Sequence, residues 1–74
     1  MKICLFDEEE DFYKVVYASP SETPYRVLLN NSIPIKTKDI YLNGQRLDYD
    51  ILDTPISGFK LREATAFLCV LRKA

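Results

Sequence analysis

At 74 residues, 47% apolar and 28% charged, the chain is expected to be one small folded domain, too short for a second and too apolar for disorder. Its net charge of −1 and pI near 5.3, with no stripe of interleaved bases and aromatics, give no footprint for nucleic acid. The longest apolar run, 66–71, falls far short of the ~20 residues a membrane helix needs, and Met1-Lys2 leads straight into strand-like sequence rather than a signal segment. These features predict an intracellular protein, cytoplasmic or nuclear.

In chain order, "KICLF" (2–6) reads as a strand and "FYKVVYA" (12–18), rich in β-branched and aromatic residues, as its returning partner. Between them "DEEED" (7–11) holds five of the eleven acids and reads as a solvated turn rather than a docking patch, because like charges repel within a regular element. The inward face of the second strand stays open: Tyr13, Val15 and Tyr17 compete with Val16 and Ala18, and a bulge would serve both. Thr23 can cap a brief helix opening on Pro24, which turns Val27 and either Leu28 or Leu29 toward the sheet. Asn30-Asn31 and "SIP" end it. "DIYLN" (39–43) is a strand with Ile40 and Leu42 on one face and Tyr41 on the other, closed by the hairpin signal Asn43-Gly44. Leu47, Leu52, Ile56 and Phe59 then plug an irregular crossing of short 3₁₀ or strand pieces. The closing stretch "TAFLCVLRK" (65–73), apolar on both faces, suits a strand in the middle of a sheet.

Strand, strand, helix, strand, irregular crossing and central strand is the order of the β-grasp, an α+β architecture whose mixed sheet of four to five strands curls over one short helix. Here the chain resembles the ubiquitin-like family. "SIPIKTKDIYLNGQRL" (32–47) looks like ubiquitin from its helix exit through its third strand, with Ile33-Pro34, Ile40, Leu42, Gly44 and Leu47 at matching spacing. Pro20-Ser21-Glu22-Thr23 resembles the family's helix start, and Arg62-Glu63-Ala64-Thr65 leading into "AFLCVLR" its last turn and strand. "KICL", "YKV" and "TPYRVL" are similar to the ubiquitin-fold modifier. The likeness spans nearly the whole chain and rests on order and spacing together. Between Thr23 and Ile33 the chain is about one helical turn shorter than ubiquitin, at ~3.6 residues per turn, and the crossing is a little longer.

Parity places the functional surface. With Ile40, Leu42, Ala66, Leu68 and Val70 toward the helix, Tyr41, Phe67 and Cys69 are forced outward on adjacent strands. The resemblance implies that these positions match the hydrophobic patch most ubiquitin partners grip, with Arg46 and Arg72 at its rim. Tyr and Arg are frequent interface anchors. The competing reading packs Phe67 inward beneath the crossing and makes Tyr41 cover for a neighbouring strand. Asp39 stands where ubiquitin has a basic residue and Gln45 where it has a chain-forming lysine, which implies different receptors. Cys4 and Phe6 are a weaker outward pair if Ile3 and Leu5 face the core.

No enzyme constellation is visible. There is no histidine to activate Cys4 or Cys69 or to complete a zinc site, two cysteines are too few for an iron-sulfur cluster or a disulfide framework, and two glycines form no phosphate cradle. No cofactor or metal is expected. The chain closes on "VLRKA" without the Gly-Gly through which ubiquitin-like modifiers and sulfur carriers react. If that is its true end, the resemblance implies a non-catalytic protein-protein interaction module, monomeric by itself, binding neither nucleic acid nor membrane. A covalent modifier of the ubiquitin conjugation pathway, its glycine lying outside these residues, is the alternative, and a permanently assembled structural subunit a third.

Overall fold

The computed structural model describes residues 1–61 and 64–73. Arg62 and Glu63, within the expected last turn, and Ala74 lie outside the described residues. A hairpin opens the fold: β1 (Lys2–Asp7) and β2 (Phe12–Tyr17) pair antiparallel from Lys2 opposite Tyr17 to Asp7 opposite Phe12, without a bulge. That unbroken register resolves the open phase. Val16 lies opposite the buried Ile3 and packs on the core with Phe12 and Ala18, while Tyr13, Val15 and Tyr17 point to the opposite face.

Helix α1 (Pro24–Asn30) starts where expected, with Thr23 Oγ1 accepting the Arg26 N–H at 3.1 Å and Pro24 in the first turn. Its inward pair is Val27 and Leu28; Leu29 faces water. The helix ends because Asn31 donates its side-chain amide back to Val27 O at 2.8 Å and Ser32 turns left-handed, letting the Ile33 N–H reach Leu28 O at 3.0 Å.

Strands β3 (Lys38–Leu42) and β4 (Gln45–Leu47) form a second hairpin. Asn43 (φ 50°) and Gly44 (φ 84°) both take positive φ, as the primed turn joining two twisted strands requires. The crossing that follows carries 3₁₀ turns at Tyr49–Ile51 and Ile56–Phe59. Its backbone is tied to the helix start: Tyr25 N–H donates to Leu52 O at 3.0 Å, and Ile56 N–H to Glu22 O at 2.8 Å. The chain closes on β5 (Thr65–Arg72), parallel to β1 and antiparallel to β3.

The sheet order β2-β1-β5-β3-β4 puts β5 at its centre, which is why that strand is apolar on both faces. Ile3, Leu5, Ile40, Leu42, Ala66, Leu68 and Val70 line the helix-side face; Leu47, Leu52 and Ile56 close the core beneath the crossing, with Phe59 packed against it. The acidic turn is less solvated than the sequence suggests. Asp7 is buried with its carboxylate accepting the Glu9 N–H at 3.2 Å, and Glu9 pairs with Lys38, itself buried at the start of β3. No described helix is long and apolar enough to cross a membrane.

Candidate docking face of the sheet

Because one short helix covers one side of the sheet, most outward residues of the other side stay in or near water, Cys4 on the inner strand β1 being the buried exception. Strand pairing sets these residues in rows. Tyr13, Phe6, Cys69, Tyr41 and Arg46 stand side by side across all five strands, and Val15, Cys4 and Phe67 form the neighbouring row. Directly opposed side chains lie ~4.5–5.5 Å apart at Cβ, so each row is continuous contact rather than scattered exposure.

The expected site residues are only partly gathered. Tyr41 lies opposite Cys69, and Phe67 follows on the same strand and face. Phe67 is 49% exposed and does not pack under the crossing, whereas Tyr41 and Cys69 are half-buried. Arg46 lies beside Tyr41, but its guanidinium is already engaged: Nη1 donates to Asp48 at 2.9 Å and Nε to Asp39 at 3.4 Å, which holds its charge firmly. Arg72 does not share the face. It lies opposite Lys38, with the helix-side parity of Val70, and Leu71 takes the outward slot opposite Asp39.

Phe67 is fixed from its backbone. Asn43 accepts the Phe67 N–H on its side-chain oxygen at 2.7 Å and donates its own N–H to Phe67 O at 2.8 Å, extending the β3–β5 ladder past its last strand pair. The aromatic ring stands on the wall of a shallow groove shared with Leu42, Gly44, Gln45, Phe59 and Leu61. An asparagine preceding glycine was legible as a turn; that its side chain would also clamp the central strand was not, because the partner is 24 residues away.

Both cysteines are free thiols, Cys4 buried and Cys69 half-buried. Burial pushes the Cys69 thiol up, so at neutral pH it acts as a small neutral hydrophobe between Phe6 and Tyr41. Among the described residues no group of three or more histidine, cysteine or acidic side chains converges as for a metal ion. The arrangement offers contact area and shape, with one fixed cation at its border.

No family model and no curated protein sequence matches the chain. Among solved structures it is similar to a ubiquitin-like protein from the hyperthermophilic archaeon Caldiarchaeum subterraneum, at 15% identity and a TM-score of 0.59, over 100% of this chain and 97% of that one. At that identity the likeness speaks to architecture, over the whole of this chain: it has the ubiquitin-like β-grasp fold.

Proposed function

We propose that the chain is a non-catalytic, intracellular protein-docking module that engages a partner protein through the outer face of its sheet, centred on Tyr41, Phe67 and Cys69. The observation that carries this reading is the half-exposed Phe67, fixed by the Asn43 clamp and continuous with Tyr41 and Cys69 on the two strands nearest the middle of the sheet. A rigid aromatic costs little side-chain entropy to bury and gives much contact area, the profile of an interface anchor. Its fitting partner brings an apolar projection for the groove beside Phe67 and a neutral or basic rim. Asp39 and Asp48 already neutralise Arg46 and leave that border acid-rich, so an acidic partner is disfavoured.

The test uses the natively encoded protein, tagged, in its own cells. A partner captured by wild type and identified by mass is expected to lose at least about tenfold in affinity for Tyr41→Ala/Phe67→Ala, roughly 1.4 kcal/mol, while the variant keeps its amide spectrum. Unchanged affinity in a folded double variant would overturn the reading. A ladder of heavier species surviving boiling and reductant would replace it with that of a covalent modifier.

A further inference from the structure

We infer that β2 is a pairing edge for a second copy of this chain, the two copies joining antiparallel through Val15 into one continuous sheet. Four observations converge on it. The sheet order leaves β2 with a neighbour on one side only. Met1 and Ala18 exchange both backbone hydrogen bonds, at 2.8 and 3.0 Å. Because such pairs alternate along an antiparallel ladder, Val16, Lys14 and Phe12 also face β1, and the N–H and C=O groups of Tyr13, Val15 and Tyr17 point to the open edge. Those same residues carry the exposed outer-face side chains, Tyr13 at 63% and Tyr17 at 77%. An edge of this length, with no bulge and no proline inside it, is a template for another strand.

The register identifies the occupant. Two copies related by a two-fold axis through the sheet keep outer faces together, so the axis must pass at a residue. At Val15 it pairs Val15 with its own counterpart and each Tyr13 with Tyr17 of the other copy, and all three pairs satisfy the free N–H and C=O groups on both sides. An axis at Lys14 sets two ammonium groups directly opposite. One at Val16 leaves Tyr13 against Ser19. The Val15 register also has charge complementarity on the helix side. Lys14 comes to lie opposite Val16 of the second copy, over the groove between β2 and α1 that is lined by Glu22, Asn30 and Asn31. Its stem can cover Val16 while its charge meets a carboxylate and two amides.

The assembly stops at two. Beyond Tyr13 the chain turns at Asp11 with φ 47°, and beyond Tyr17 it reaches Pro20. The opposite edge, β4, is only three residues long and offers little for a further copy to extend. A monomer is what the resemblance implies, but a resemblance does not reveal which strand edge is left open for pairing. Pairing at β2 leaves Tyr41 and Phe67, on the third and second strands in from it, free for a different partner.

The experiment is sedimentation equilibrium of the full chain from about 10 µM to about 1 mM, the range in which a small strand-to-strand interface associates, with amide exchange by NMR. The expected result is a mass rising from 8.6 kDa toward twice that value, with exchange at Tyr13, Val15 and Tyr17 slowing as concentration rises and exchange at Lys14 and Val16 unchanged. Val15→Pro removes one edge N–H while sparing the bonds to β1, as proline on a free edge permits, and should raise the dissociation constant about tenfold or more. Lys14→Glu sets like charge over Glu22 and should weaken pairing without altering the edge backbone, which covers the case of a poorly folded proline variant. A constant monomer mass with concentration-independent exchange overturns the inference. So does a dimer that both variants leave intact, or edge protection that appears only when a foreign extended peptide is added.

Discussion

The two faces of the sheet are built from the same kinds of residue and meet opposite fates. Along β5, Ala66, Leu68 and Val70 are buried under the helix while Phe67, Cys69 and Leu71, interleaved with them, are not. Strand propensity does not distinguish the two sets, since aromatic and branched residues suit either side of a pleat. What separates them is that a seven-residue helix covers one side only. Apolar residues retained on the bare side are therefore available for contact outside the fold.

Substitution of adjacent residues on β5 tests this difference most directly. Leu68→Ala should cost about 2–5 kcal/mol, the usual range for opening a cavity in a packed core, enough to leave so small a domain largely unfolded on warming. Phe67→Ala, one residue earlier, should cost only about 1 kcal/mol, since about half of the residue already stands in water. Urea denaturation of both measures the contrast directly. Equal losses would mean that the outer face is part of the core.

The clamp between the β3–β4 turn and the central strand β5 comes next. Asn43→Ala removes the acceptor for the Phe67 N–H and places a residue with little taste for positive φ at φ 50°. A loss of about 1–2 kcal/mol is expected. Amide exchange should quicken at Phe67 and hardly at Leu5, on the neighbouring strand. Asn43→Asp, which keeps the acceptor and tolerates the turn, should recover most of the loss.

The strand order, the capped helix and the inward residues of β3 and β5 were legible because each has a local cause: alternation, a threonine before proline, an Asn-Gly turn. The phase of β2 was not. Tyr13, Val15 and Tyr17 make as good an apolar stripe as Phe12, Val16 and Ala18, and only the pairing of Val16 with Ile3 decides between them. The resemblance implies a place for Arg72 at the rim of the outer face; strand parity puts it opposite Lys38 on the helix side instead. Glu9 looked like one acid of a solvated run because its partner lies on a different hairpin, and no local pattern announces such a pair.

That pair supplies the smallest of the expected effects and the one with a pH signature. Lys38 begins β3 on the helix side, buried, with Glu9 on its ammonium and Asp7 nearby. The hydrogen bond from Lys38 holds the Glu9 carboxyl below its ordinary value of 4.5, and the bond to Glu9 holds the Lys38 ammonium above its ordinary 10.5. A lowered carboxyl adds stability above pH 4.5 that is lost as the pH falls through the folded value. A raised ammonium adds stability below pH 10.5 that is lost as the pH rises through its own. Both are fully present at neutrality. Glu9→Gln should lower the urea midpoint at pH 7 modestly, the more so at low salt, because Glu9 is half in water and screened. The difference between variant and wild type should then shrink as the pH drops below 4.5, where the wild-type carboxylate is itself becoming protonated. A difference that stays constant down to pH 3 would mean that the substitution acts through the turn around Asp7 rather than through the charge on Glu9, and that the two hairpins are joined through β5 without help from this ion pair.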